Sequence, residues 1–70
     1  MRFSYNRLWK LLIDRNMNKN DLRSLSGISS ASIAKLAKGQ NITTDILLKI
    51  CFSLDCDIHE IVELVNDNKS

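Results

Sequence analysis

Apolar residues recur at the spacing of an α-helix along nearly the whole chain, and no proline interrupts the pattern. Near the start, the positions i, i+3, i+4 and i+7 of one helical face are filled by Tyr5, Leu8, Trp9 and Leu12. No stretch alternates between apolar and polar residues for long enough to indicate a strand. The pattern therefore predicts an all-α fold.

The length of 70 residues allows one compact domain and leaves no room for a second domain with its own core. A chain of this size buries only roughly 60% of its unfolded surface, so a partner's surface would help to complete the core. We expect a single domain over residues 1–65 and a frayed tail over residues 66–70. No apolar run approaches the roughly 18 residues of a membrane span, and the N-terminus lacks the apolar stretch of a signal peptide. We therefore expect a soluble cytoplasmic protein with no membrane partner.

Residues that start and stop helices divide the apolar pattern into five segments. The predicted N-caps are Asn18, Ser29, Thr43 or Thr44, and Asp57, which forms a capping box with Glu60. The predicted helix stops include Asn16, Gly27 and Gly39. The five predicted helices cover residues 4–15, 19–26, 30–38, 45–54 and 58–65.

The inward positions of these helices predict the hydrophobic core. Its expected members are Tyr5, Leu8, Trp9, Leu12, Leu22, Ile28, Ile33, Leu36, Leu47, Ile50, Cys51, Leu54, Ile58 and Ile61. The helical spacing favours core packing over base stacking for Tyr5 and Trp9.

Charge is distributed unevenly between the two parts of the chain. Residues 1–42 hold eight Lys or Arg and two Asp, a net charge of +6. Residues 43–70 hold two Lys and six Asp or Glu, a net charge of −4, so the whole chain carries only +2. This asymmetry favours one face for a polyanion, although chance clustering on a solvated surface gives the same numbers.

The segment Gly27-Ile28-Ser29 joins two short helices and has the length and composition of a helix-turn-helix turn. Gly27 permits the positive φ of a tight reversal, and Ile28 is expected to lie beneath the turn. Leu22 is expected to anchor the first helix of the pair, and Ile33 and Leu36 the second. The residues left outward on the second helix are Ser30, Ala31, Ser32, Lys35 and Lys38.

These residues resemble those of the Cro and phage-repressor type helix-turn-helix regulators, also called xenobiotic-response-element-like. The resemblance covers residues 5–62 and rests on Leu22, Gly27-Ile28-Ser29, Ile33, Leu36 and Gly39, followed by the apolar helix that ends at Leu54. It implies a compact five-helix, lambda-repressor-like DNA-binding domain with the helix-turn-helix at helices 2 and 3. It also implies that the third helix, about residues 30–38, reads the DNA major groove.

The resemblance assigns DNA contacts to two sets of residues. Base contacts would come from Ser30, Ala31, Ser32 and Lys35. Phosphate contacts would come from Asn18, Lys19, Lys38, Gln40, Asn41 and Thr43. For the serines the alternative is a simple helix cap, and for the lysines a solvated surface. A phosphate contact by Arg2 or Arg7 is a further open possibility.

The chain departs from the family pattern in three places. Lys19 stands where the family usually has Gln, and Arg23 where it usually has a tightly packed Ala. The role of Arg23 is left open, since its aliphatic stem can lie over the helix pair with the guanidinium in water. Leu12 and Ala37 replace an Arg–Glu pair, which indicates a changed core.

The last predicted helix offers more apolar surface than one short helix usually buries. Val62, Leu64 and Val65 therefore indicate a homodimer seam, although part of that surface can cover the base of the first helix. A two-fold dimer would place its recognition helices roughly 34 Å apart and bind a palindromic operator.

Chemistry-bearing residues give little sign of catalysis or metal binding. Cys51, Cys56 and His59 lack the spacing of a zinc site, and the single His has no nucleophile partner at catalytic spacing. We expect no enzyme activity, metal, cofactor or small-molecule ligand.

The function predicted is that of a sequence-specific regulator of transcription that binds double-stranded DNA and represses by steric occlusion. The alternative is a protein-interaction module, antitoxin-like or antirepressor-like, that docks through its C-terminal helix.

Overall fold

The computed structural model describes residues 1–66. Within them lie, in order, strand β1 (Arg2–Ser4), helices α1 (Asn6–Asp14), α2 (Lys19–Ser26), α3 (Ser30–Ala37) and α4 (Thr44–Leu54), a 3-10 turn (Ile58–Glu60) and strand β2 (Glu63–Val65). No helix in this range is long and apolar enough to cross a membrane. The predicted tail of residues 66–70 lies, apart from Asn66, outside the described residues.

The caps that separate the helices form as predicted. Asn18 and Asp21 make a reciprocal capping box at the start of α2, with N···O distances of 2.8 and 3.1 Å. Thr43 caps α4 by accepting a hydrogen bond from the Ile46 N–H. Gly27 follows α2 with a φ of +75°, a left-handed conformation that costs glycine little. Local sequence signals therefore fix where α2 begins and ends and where α4 begins.

The predicted helical fold is confirmed by four α-helices, but the count of five helices is wrong, and both ends of the described chain contain a short strand. Residues 58–65 form one 3-10 turn and a strand, and residues 2–4 form a strand where the first helix was expected to begin. The two strands pair antiparallel, with Phe3 opposite Leu64. Each is only three residues long, too short for alternation to reveal it in the sequence.

The core follows the predicted list closely. The buried apolar residues are Tyr5, Leu8, Leu12, Leu22, Ile28, Leu36, Leu47, Ile50, Leu54 and Ile61. Trp9, Ile33 and Cys51 are half-buried and pack against this cluster. Ile58 was expected in the core but is 47% exposed. It opens a single 3-10 turn, after which the chain bends toward β2 and Ile61 fills the core instead.

Two arginines of the α1 region hold the acidic part of the chain in place. The Arg7 guanidinium donates to the His59 carbonyl at 2.8 Å and lies 3.1 Å from the Glu63 carboxylate. The Arg15 guanidinium donates to the Leu54 carbonyl at the end of α4. Arg7 thus contacts the C-terminal segment, where sequence reasoning had left a phosphate contact open.

Candidate nucleic-acid interface

The turn between α2 and α3 is built from the residues that the sequence singled out. The Gly27 N–H donates to the Arg23 carbonyl at 2.9 Å, and Ile28 is buried beneath the reversal. The Ser29 hydroxyl then caps α3 by accepting from the Ser32 N–H. Leu22 and Leu36 are buried on the two sides of the turn. These contacts fix the angle at which α3 leaves the body of the domain.

The outward face of α3 carries small and basic side chains. Ser30, Ala34 and Lys38 follow one another one turn apart, with Ala31 and Lys35 beside them, and all five are exposed. Sequence reasoning missed Ala34, although its spacing from Ser30 and Lys38 places it at the centre of this face. Short side chains let the backbone of a helix approach another surface closely, so the face suits contact with a groove.

Ser32 does not lie on that face, and the expectation that it points outward is wrong. Its exposure is only 9%, and its hydroxyl lies 3.1 Å from the Ser29 hydroxyl. The physical reason is helical spacing, because Ser32 stands one turn before the buried Leu36. Its side chain supports the cap of α3 from within the helix pair.

The start of α2 presents a basic side chain in a fixed position. The Lys19 ammonium lies 5.0 Å from the centroid of the Trp9 ring, a cation–π contact between α2 and α1. Asn18 is exposed, but its side-chain oxygen is engaged by the Asp21 N–H. Arg23, in the next turn of α2, is half-buried, and its guanidinium donates to the Asn20 side chain at 3.0 Å.

The loop between α3 and α4 brings the remaining predicted contact residues to the surface. Lys38, Gln40, Asn41 and Thr43 are all exposed. Gly39 takes a φ of +72°, and the Gln40 N–H then donates to the Lys35 carbonyl at 2.9 Å. The Tyr5 hydroxyl donates to the Gln40 carbonyl, also at 2.9 Å. The loop is thus attached both to α3 and to the beginning of α1.

Acidic residues gather at a different place in the fold. Asp45, Asp55, Asp57 and Glu60 line a cleft between α4 and the 3-10 turn, to which α3 contributes no residue. The sequence asymmetry of charge therefore becomes a separation between the α3 face and this cleft. Negative charge near DNA is unfavourable, so the separation leaves the α3 face as the surface suited to a polyanion.

Cys51 and Cys56 also line that cleft. Burial, followed by the neighbouring Cys51 thiol and the Glu60 carboxylate, raises the pKa of Cys56 to about 11. Burial also raises the pKa of Cys51. Among the residues that the structure describes, no group of three or more His, Cys, Asp or Glu side chains is arranged to hold a metal ion.

The residues predicted to form a dimer seam lie on or beside β2, and the expected seam helix is absent. Leu64 is 60% exposed, and Phe3, its partner on β1, is 42% exposed. Val62 and Val65 are half-buried. The exposed apolar surface in this region therefore consists of a cross-strand pair rather than a helical stripe.

Comparison with known proteins agrees with this geometry. The model of the Cro/C1-type helix-turn-helix DNA-binding domain matches residues 7–67. The crystal structure of the transcriptional regulator VanUg is similar, with a TM-score of 0.90 and 48% sequence identity over 94% of this chain and 88% of that chain. No curated protein matches the chain. The chain belongs to the family of Cro/C1-type helix-turn-helix DNA-binding domains.

Proposed function

We propose that this protein is a regulator of transcription that binds double-stranded DNA in a sequence-specific manner, with α3 in the major groove. The observation that carries the proposal is the outward face of α3, which combines small side chains with Lys35 and Lys38 at the end of a rigid turn. The similarity to a transcriptional regulator over nearly the whole chain supports it. A regulator that occupies the major groove blocks other proteins from the same DNA site. It would therefore act as a repressor by steric occlusion.

Base contacts are proposed for Ser30, Ala31 and Lys35. The Lys35 ammonium suits the O6 and N7 acceptors of guanine, and the Ala31 methyl suits a thymine methyl. Ser30 is the first residue of α3, and its exposed hydroxyl is able to donate to or accept from a base edge. Because hydroxyl groups discriminate poorly between bases, Lys35 carries most of the specificity.

Phosphate contacts are proposed on both sides of α3. Lys19 provides a positive charge at the start of α2, where the helix dipole also favours an anion. Beyond α3, the proposed contacts are Lys38, Gln40, Asn41 and Thr43. Asn18 would contribute through its position at the same helix start, since the capping box already engages its side-chain oxygen. Such contacts fix the register of α3 on the duplex without reading sequence.

A homodimer is proposed through the surface around β2, with Val62, Leu64 and Val65 in the seam and Phe3 beside them. The support is the exposed Phe3–Leu64 pair, which a two-fold partner would cover with the same pair. Two recognition helices related in this way would bind half-sites roughly 34 Å apart. The alternative is a protein-interaction module that docks through a C-terminal helix, but residues 58–65, where that helix was expected, form a 3-10 turn and a strand.

The test is a binding titration with a duplex selected from a randomised library, repeated over a range of salt concentrations. For about 4–6 phosphates neutralised per half-site, log K should fall with log salt at a slope of about −0.9 per phosphate. The double variant Lys35→Ala/Lys38→Ala should lose its preference for the selected duplex and show a shallower slope. The matched control is Lys10→Ala/Lys49→Ala, which removes the same charge from exposed positions on α1 and α4.

Equal binding by the two double variants would contradict the proposed role of α3. Failure of the wild-type chain to select any duplex would contradict sequence-specific binding itself. Sedimentation of Leu64→Asp against the wild type tests the dimer separately, and a wild type that is monomeric on its selected duplex would rule the dimer out.

A further inference from the structure

The loop that follows α3 is attached to a buried tyrosine from the other end of the chain. The Tyr5 hydroxyl donates to the Gln40 carbonyl at 2.9 Å, a contact between residues 35 positions apart. Burial raises the pKa of Tyr5, and the nearby Ile42 backbone opposes part of that effect. A single side chain thus holds the Gln40 peptide group of the loop.

Tyr5 is itself held firmly. It is only 3% exposed, and its ring lies in the core cluster beside residues such as Leu8. Its carbonyl accepts hydrogen bonds from the Leu8 and Trp9 N–H groups in the first turn of α1. Because both its backbone and its ring are fixed, its hydroxyl presents a donor and an acceptor at a constant place.

The exposed part of the loop, Gln40 and Asn41, depends on such external support because its own contacts are few, whereas Ile42 packs against the core. Gly39 turns the chain with a positive φ, and the Gln40 N–H returns to the Lys35 carbonyl. Beyond that bond, Gln40 and Asn41 are exposed, and the next cap is Thr43 at the start of α4. A loop of exposed polar residues loses conformational entropy when it grips a ligand, unless the fold has ordered it beforehand.

We propose that Tyr5 is a positioning residue for DNA binding, whose hydroxyl holds the loop of residues 39–42 in the conformation that contacts phosphate. The inference rests on the proposed function. Tyr5 does not touch DNA, and it acts through the Gln40 peptide group. Removing the hydroxyl leaves the loop free to sample other conformations, so part of the binding free energy is spent on ordering it.

The direct test is Tyr5→Phe, which removes the hydroxyl and keeps the ring in the core. On a labelled mixed-sequence duplex, the affinity should fall about fivefold, the effect of one net hydrogen bond. The salt slope should stay that of the wild type, because the same phosphates are neutralised once the complex has formed. Lys38→Ala, by contrast, should reduce the slope by about one charge.

The matched control is Ser53→Ala. It also deletes a neutral hydroxyl that donates to a distant backbone carbonyl, that of Leu25, but at a site on α4 away from the loop. Its DNA affinity should equal that of the wild type when both variants are compared at a temperature where thermal melts show them fully folded. If the affinity of Ser53→Ala falls as much as that of Tyr5→Phe, the loss of affinity reflects lower overall stability. That result would overturn the inference.

Amide hydrogen exchange locates the change. In Tyr5→Phe, exchange should accelerate at the Gln40 and Ile42 amides and remain unchanged at Leu22 and Leu36 in the buried helix pair. A uniform acceleration would indicate lost global stability and would overturn a positioning role. Gly39→Ala gives a second route, since an alanine at a φ of +72° strains the same loop and should lower affinity at an unchanged slope.

The inference and the proposed function fail in different ways. A wild-type chain that does not bind any duplex contradicts the proposed function. A wild-type chain that binds, with Tyr5→Phe binding equally well, contradicts only the positioning role.

Discussion

The helix-turn-helix and the region where the two chain ends meet use the same local signals with different results. At the start of α2, the Asn18–Asp21 capping box opens a helix of eight residues. At the start of the 3-10 turn, the Asp57–Glu60 capping box forms just as well, with the Asp57 N–H 2.8 Å from the Glu60 carboxylate, yet only three residues follow in the turn. A capping box therefore specifies where a helix starts and not how far it continues.

How far each segment continues as a helix depends on the surface against which it can pack. Leu22 of α2 and Leu36 of α3 belong to the same core cluster, and α2 packs against both α3 and α4. After the 3-10 turn, Ile61 fills the core, and Arg7 then draws Glu63 and the His59 carbonyl toward α1. The last residues pair with β1 from the opposite end of the chain. In the first region the caps and the turn are local and α4 supplies part of the packing, whereas the second region is held by contacts between the two ends of the described chain.

The largest expected effect comes from a substitution in the buried centre of the helix-turn-helix. Leu22 is fully buried, so Leu22→Ala should lower the free energy of unfolding by about 2–5 kcal/mol. In a domain of this size that is a large share of the total, and the whole chain should unfold as one unit in urea. Leu25→Ala, at a 55% exposed position on the same helix, is the matched control and should change stability by no more than about 0.5 kcal/mol.

A second variant tests the turn without creating a cavity. An alanine side chain at Gly27 would meet no atom within 4 Å, but the φ of +75° remains unfavourable for it. Gly27→Ala should therefore cost about 1–2 kcal/mol from backbone strain alone, measured as a shift in the urea midpoint. An unchanged midpoint would mean that the turn relaxes to a negative φ and that its geometry is less fixed than α2 and α3 indicate.

Arg7→Ala should have a smaller effect, on the region where β1 and β2 pair. The change removes the hydrogen bond to the His59 carbonyl and the ion pair with Glu63, for a loss of about 1 kcal/mol. Hydrogen exchange should accelerate in β1 and β2 and stay slow in α2 and α3. Lys10→Ala on the same helix is the control, and equal protection of the strands in both variants would contradict the role given to Arg7.

The smallest effect concerns the thiol that follows α4. Because the pKa of Cys56 is raised to about 11 from 9.0, its thiolate fraction near neutral pH should be about a hundredfold lower than that of an ordinary thiol, with correspondingly slow alkylation. The folded state favours the protonated thiol, so this contribution to stability is complete below pH 9 and is lost as the pH rises toward 11. Alkylation of Cys56 as fast as that of an unfolded control would contradict the assignment.

The sequence predicted which side chains of the candidate interface are exposed in most cases. The errors concern side chains that are buried. Ser30, Lys35 and Lys38 are exposed as expected, because turn chemistry and helical spacing set their face. Ser32 was misplaced, although its spacing from Leu36 carried the necessary signal. The attachment of Tyr5 to Gln40 had no sequence signal, since a tyrosine at core spacing does not reveal where its hydroxyl points.

Capping residues, a glycine at the turn and apolar spacing specify the helix-turn-helix, because these signals act within a few residues of one another. The tertiary structure decided the ends of the chain, where residues 58–65 satisfy local rules for a helix and form a turn and a strand instead. It also decided how the loop after α3 is held. Both outcomes depend on pairing between residues far apart in sequence, and the free energy of such contacts exists only once the chain has folded around them.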